Sequence, residues 1–200
     1  MAHPDDAEIC MGGTMARLAD AGWETHVVVA SVPDRGPERR FELQAGAAHL
    51  GATAHVIDRS GEWQVEDVPT YELVRAFDVV VDAVEPGIVF THWNGDVHRD
   101  HVLVAAAALS ATRDHRTDVF MCDQPNQYAP SSTAFAADTF VDVSDHFERG
   151  IEAVMLHATQ AGARHYREHL EARARYHGER LGVRYAEAFH CVRQRLEVEW

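Results

Sequence analysis

The stretch T-H-V-V-V-A-S-V-P-D-R-G-P-E-R-R-F-E-L-Q-A-G-A-A-H-L-G-A-T-A-H-V-I-D (residues 25–58) decides the fold class. Its first seven residues, Thr25 to Ser31, are a β-branched run of strand length. Pro33 to Pro37 is a turn-rich loop. Glu38 to Leu50 is helix-forming, with Leu43, Ala47 and Leu50 as its apolar or small positions, and Gly51 closes it. Thr53 to Asp58 is a second strand. The pattern repeats outward. Residues 14–21 suit a short helix ended by Gly22, and Tyr71 to Val84 reads as a helix broken by Pro86-Gly87. Ile88 to Thr91 is a short buried strand, and His101 to Thr112 is an Ala-rich helix. Strands follow at 119–122 and 139–143, helices at about 145–161 and 164–181, and a last strand at 186–192. Such alternation predicts an α/β fold, with a mostly parallel central sheet and helices on both faces. There is no repeat, low-complexity tract or linker, so residues 1–200 read as a single domain.

Composition narrows the partners. Eighteen basic against 32 acidic residues give a net charge of −14. Such a chain repels nucleic acid and anionic membrane surfaces, which leaves neutral or cationic small molecules as the natural ligands. No apolar run is long enough to span a bilayer, so no membrane insertion is expected. Cys10, Cys122 and Cys191 are few and widely spaced, which suits a reducing cytoplasm better than a disulfide framework. The unusual count is histidine, at 14. Only those in a patterned context call for chemistry.

Two loops supply that context. In α/β sheets ligands gather at the C-terminal ends of strands, and two loops rich in His and Asp belong there. The first is A-H-P-D-D-A-E-I-C-M-G-G-T (2–14). It places His3 beside Asp5 and Asp6, and adjacent aspartates point different ways. One can bind a metal while its neighbour faces the activated water as a base. Read alone, the segment is equally an acidic turn before a capped helix. The second is T-H-W-N-G-D-V-H-R-D-H (91–101). His98 and His101 share one side of a helix mouth, and Asp100 can orient an imidazole by accepting its second N–H. Read alone, this is a polar surface loop. Together, each loop supplies what the other lacks.

The pair A-H-P-D-D…G-G-T and T-H-x-x-x-D-x-H-x-D-H resembles the PIG-L/LmbE-like zinc-dependent N-deacetylases. The resemblance covers nearly the whole chain. Arg39-x-x-Glu42 before A-A-H-L-G (47–51) looks like that family's second helix. His157-Ala-Thr-Gln160 looks like its late H-x-S-Q element, and A-E-A-F (186–189) like its terminal segment. Two positions depart from the pattern: Ala7 follows Asp6 where the family has Glu, with Glu8 one place late, and Arg99 replaces a common Pro. The resemblance implies a Rossmann-like PIG-L deacetylase fold and a Zn2+ ion bound by His3, Asp6 and His101. It implies Asp5 as general base, His98 as oxyanion stabiliser or proton donor to the leaving amine, and Asp100 as a residue tuning an imidazole. The implied reaction removes an N-acetyl or other N-acyl group from an amino sugar or related small-molecule amine. Alternatives are an amidase acting on a thiol-sugar conjugate, and a degenerate, non-catalytic metal- or sugar-binding domain. Phosphoester hydrolysis would call for a second metal or a phosphate cradle, and neither is visible.

Further residues are candidates for substrate contact. Arg39 can bind sugar hydroxyls or a phosphate, or simply pair with Glu42. Asp96 can contact hydroxyls, and His157 can line the pocket. Trp93 suits packing better than sugar stacking. His165, His169 and His177 read as solvated, and Cys10 is not expected to bind metal. Loops 59–69 and 124–137 are where specificity would reside, and neither carries a decodable motif. Members of the family often assemble, which leaves a homo-oligomer open. They also carry an apolar strand just before the first motif, whereas Met1-Ala2 here precedes it directly. The expectation is a sheet lacking that strand, with a gap or exposed edge beside 25–31. A cellular protein with an extra apolar segment of about 6–10 residues upstream is expected too, the length of a buried strand.

Overall fold

A computed structural model describes residues 1–32, 34–58, 60–122, 124, 133–161 and 166–195. Strand β1 (Thr25–Val29) pairs in parallel with β2 (Ala52–Val56), and helix α2 (Gly36–His49) crosses between them. Side chains alternate across a strand. Val27 and Val29 of β1 therefore join one core with Leu43 and Ala47 of α2 and with Met11 and Met15 of α1 (Asp6–Asp20). Val28 and Ala30 face a second core, built by Leu73, Phe77 and Val81 of α3 (Thr70–Val84) and Val104 and Ala107 of α4 (Arg99–Ala111). Helices thus cover both faces, as the alternation predicts.

The remaining strands form a separate sheet in the order β3-β4-β6-β5, comprising β3 (Ile88–His92), β4 (Asp118–Cys122), β5 (Thr139–Asp142) and β6 (Ala186–Arg193). β3 and β4 are parallel, but β6 lies antiparallel between β4 and β5. This corrects the expectation of a mostly parallel sheet. One helix between neighbouring strands returns the chain to its starting edge and makes them parallel. Two long helices, α5 (Phe147–Met155) and α7 (Tyr166–Leu181), with the short α6 (Ala158–Ala161) between them, separate β5 from β6. The extra pass delivers β6 from the opposite end. Among the described residues no helix is long and apolar enough to cross a membrane. On α7, His169 is exposed and His177 half-buried, while His165 lies outside the described residues.

The expected helix over 14–21 starts earlier, at Asp6, and breaks at Met11, whose φ of −152° and ψ of 29° are not helical. The second half thus has its own N-terminus, and Glu187 of β6 caps it by accepting the Gly13 and Thr14 N–H groups at 2.9 and 2.7 Å. Burial pushes the Glu187 carboxyl above its ordinary pKa, against these hydrogen bonds. The ligand loop enters this helix along β1. The Met1 ammonium donates to the Val28 carbonyl at 2.7 Å, and the Met1 and Ala2 carbonyls accept from Ala30 and Ser31. Between β1 and β3 lies a cavity of about 370 Å³, walled by Met15, Val27, Phe77, Val81, Ile88 and Phe90 among others.

Where α1 crosses α5, two glycines let the backbones touch. A Cβ on Gly150 would sit 2.7 Å from the Gly13 nitrogen, and one on Gly12 would sit 2.9 Å from the Gly150 Cα. Backbone cannot step aside as a side-chain tip can. Gly150→Ala is therefore expected to cost about 1–3 kcal/mol by overpacking. Gly36→Ala, at a position with nothing within 4 Å, should leave the thermal midpoint nearly unchanged. Thermal melts of the two variants check this.

Candidate active site

The first His- and Asp-rich loop ends at Asp5, whose backbone φ of +89° is one of three positive values among the described non-glycine residues. Such a conformation costs an aspartate on the order of 1–3 kcal/mol, and strain of this kind gathers at functional sites. It lets Asp5 and Asp6 diverge. Asp6 turns back and accepts the His3 N–H at 2.8 Å. Asp5 turns toward Arg39, whose Nη2 lies 3.7 Å from its Oδ1 and donates to the Pro4 carbonyl at 3.0 Å.

The second loop runs from His92, the last residue of β3, into α4. His98 caps that helix, its Nδ1 accepting from the Asp100 N–H at 3.3 Å. One turn on, His101 points back at the first loop. Its Nδ1 is held by Asp96 at 2.8 Å, and its Nε2 faces Asp6 at 3.6 Å. His3 has a matching arrangement: Nε2 held by Asp100 at 2.9 Å, and Nδ1 facing Asp6 at 3.8 Å. Each imidazole is thus held by an outer carboxylate through one nitrogen and presents the other to the same buried carboxylate. Fixing a ligand's tautomer in this way is how proteins orient metal-binding histidines. Among the described residues, two groups of potential ligand atoms lie within 4.8 Å of one another: Asp6 with His92 and His101, and His3 with His98 and His101. His3, Asp6 and His101 meet as pairs about Asp6 rather than as one such group. The donors, imidazole nitrogen and carboxylate oxygen, suit zinc.

Electrostatics separate the two aspartates. Burial alone would raise Asp6, but His101, His92 and His3 around it outweigh that and hold it well below the ordinary carboxylate range. Burial, reinforced by Asp6, pushes Asp5 up to about 7, against the pull of His157 and Arg39. Burial lowers His3. His101 is raised, its carboxylate neighbours Asp6 and Asp96 outweighing burial.

The other sequence candidates fall around this centre. Asp96 is taken up inside the loop, with one oxygen on His101 and the other accepting the His98 N–H at 2.9 Å. Arg39 is buried behind Asp5. His157, also buried, lies 3.3 Å from Glu8 and lowers the Asp5 carboxyl electrostatically rather than lining an open face. Trp93 packs edge-on against Phe135 at 5.3 Å. His98 and Arg99 are exposed on the rim. Sequence reasoning misses two residues. Gln124, just past β4, donates to Asp6 Oδ1 at 2.8 Å, and nothing local signals it. His92 is buried beside Asp6, and its signal is its place at the end of a strand entering the His-rich loop. Of the expected specificity loop 124–137, residues 125–132 lie outside the described residues.

The chain is similar in sequence and fold to several known proteins. Residues 1–112 match the family described as PIG-L, GlcNAc-PI de-N-acetylase. A 1D-myo-inositol 2-acetamido-2-deoxy-alpha-D-glucopyranoside deacetylase from Mycobacterium sp. (strain KMS) is 27% identical, over 80% of this chain and 72% of the relative. The crystal structure of the conserved protein TT1542 from Thermus thermophilus superposes with a TM-score of 0.79 at 25% identity, covering 100% of this chain and 95% of that one. A 4-carboxy-2-hydroxymuconate hydratase from Pseudomonas putida shares the fold at a TM-score of 0.78 and 22% identity, covering 100% and 97%.

The raised Asp5 carboxyl has a consequence for stability in the metal-free protein. Unfolded, Asp5 ionises near its ordinary value of about 4, whereas folded it holds its proton up to about 7. The folded state binds the extra proton, so its stability falls as pH rises through that window. Asp5→Asn removes the charge that must be buried. Its metal-free melting temperature should exceed the wild type's at pH 8, with a much smaller difference at pH 4. Melts across that range check it.

Proposed function

The chain belongs to the GlcNAc-PI de-N-acetylase (PIG-L) family, and from that membership we propose that it is a zinc hydrolase removing an N-acetyl or related N-acyl group from an amino sugar. One observation carries the reading: His3 and His101, each braced by an outer carboxylate, both face Asp6, with Asp5 beside it. His3 Nδ1, Asp6 and His101 Nε2 would hold the ion. When bound there, zinc lowers the pKa of a water molecule toward about 7 and polarises an amide carbonyl.

The chain's own residues supply the rest. Asp5 takes the proton of the attacking water, and its burial gives it an affinity for that proton that an exposed carboxylate lacks. Arg39 keeps its carboxyl aimed away from Asp6. An amine leaves only when protonated; His98, exposed on the rim and stacked on His101 at 4.4 Å, would deliver that proton as an imidazolium or, in the neutral form whose Nδ1 accepts the Asp100 N–H, stabilise the oxyanion through its Nε2–H. Asp100 and Asp96 fix the rings of His3 and His101.

An amino-sugar substrate is supported by the family match and by the deacetylase relative, whose named substrate is an N-acetylated glucosaminyl inositol. The net charge of −14 also favours a neutral polyhydroxylated ligand. The fold alone does not select the reaction, since a hydratase shares it. The test is release of free amine and acetate from N-acetylglucosaminyl substrates by protein loaded with one zinc per chain. Asp5→Asn should keep its zinc and lose roughly 10²–10⁴-fold in rate, because it keeps shape and removes proton transfer. A fully active Asp5→Asn protein would remove Asp5 from the role of base. Wild-type protein that binds no zinc, or releases no amine, would overturn the assignment.

A further inference from the structure

His92 is fully buried at the end of β3, where the two ligand loops meet. It has no counterpart among the residues assigned above. Its Nε2 lies 2.9 Å from the Ala2 backbone nitrogen and accepts that N–H. The Met1 and Ala2 carbonyls are engaged on the opposite side, by Ala30 and Ser31 beyond β1. The residue immediately before His3 is therefore clamped from both sides, by backbone on one and by one imidazole on the other. The same ring lies flat on His101, with centroids 4.0 Å apart and planes within 1°. Asp96 holds the edge of the His101 ring, and His92 walls one face of it.

We propose that His92 is a positioning residue that fixes two zinc ligands at once: His3 through the Ala2 N–H, and His101 through ring stacking. It is not itself a ligand. An imidazole nitrogen has one lone pair, and that of Nε2 is committed to the Ala2 N–H. The proton then sits on Nδ1, which is buried without a partner among the described residues. Ring geometry and the acceptor together explain why a histidine, rather than an apolar residue, occupies a position with no solvent access. The 3.3 Å approach of Nε2 to Asp6 Oδ2 brings it among donor atoms without giving it a free one.

The inference rests on the zinc reading, and the experiment separates the two. His92→Phe keeps a ring against His101 and loses the acceptor. His92→Gln places a carboxamide oxygen at the reach of Nε2. Zinc affinity is measured for both by chelator competition, the cobalt-substituted absorption spectrum is recorded, and the metal-free proteins are melted. His92→Phe should weaken zinc binding about 10–100-fold, the usual effect of losing an outer-shell partner. His92→Gln keeps the acceptor for Ala2 and loses only the ring against His101, so it should weaken zinc binding less than His92→Phe does, with an unchanged cobalt spectrum. If His92→Phe does not fold, the His92→Gln cobalt spectrum decides by itself. A His92→Gln protein with weak zinc binding and a shifted spectrum would make His92 a ligand and overturn the proposal. So would a His92→Phe protein that binds zinc like wild type while only its metal-free melting point moves. Wild-type protein that takes up no zinc overturns the metal reading, and this inference with it.

Discussion

A carboxylate taken out of water must find compensating charge or hydrogen bonds, or give up its ionisation. Asp6 is nearly fully buried, and the candidate site is arranged around keeping it ionised. The His3 and His101 rings face it, Gln124 donates to it, and the backbone of its own loop donates to it. Those imidazoles need anchors of their own, which brings in Asp96 and Asp100 and with them the whole mouth of α4. The two loops are thus stitched together by contacts that already exist without an ion. Little side-chain order remains to be imposed when one binds, and this preorganisation is what a tight and correctly shaped site requires.

The same environment assigns different work to neighbouring aspartates. Asp6 and Asp5 are adjacent in sequence and both hidden, yet the imidazoles favour the anion of one, while burial and that very anion favour the proton on the other. This separation of two neighbouring carboxyl groups is what the proposed split between an ion-holding and a proton-accepting aspartate requires. The left-handed backbone at Asp5 makes the division possible, because it sends the second carboxylate to Arg39 instead of into the imidazole cluster.

Much of this is legible in the sequence because ligand-type residues are dense in two short loops. His3, Asp5, Asp6, His98, Asp100 and His101 announce themselves by residue type and spacing. The strands and helices follow from β-branched runs and helical periodicity, closed by Gly22 and Gly51. The direction of β6 is not legible, because the two helices expected between β5 and β6 become α5, α6 and α7, and the end from which β6 enters the sheet depends on how these pack and not on any local pattern. Asp96, Arg39 and His157 read as substrate contacts because sequence gives residue type without facing. Their partners His101, Pro4 and Glu8 come from turns and packing that no spacing rule encodes. His92 is missed when its strand is ended one residue early, at Thr91, and Gln124 belongs to the site only because β4 neighbours β3.

The cap that Glu187 places on the second half of α1 bears on how the protein is made. Its carboxylate caps the half of α1 that begins past Met11, yet it lies on β6, some 180 residues after Asp6. On a ribosome adding about 5–20 residues per second, His3 and Asp6 emerge roughly 10–35 s before the residue that secures their helix. If the site takes a metal as proposed, its final shape would be set only at the end of synthesis, when β6 enters between β4 and β5 and caps that helix.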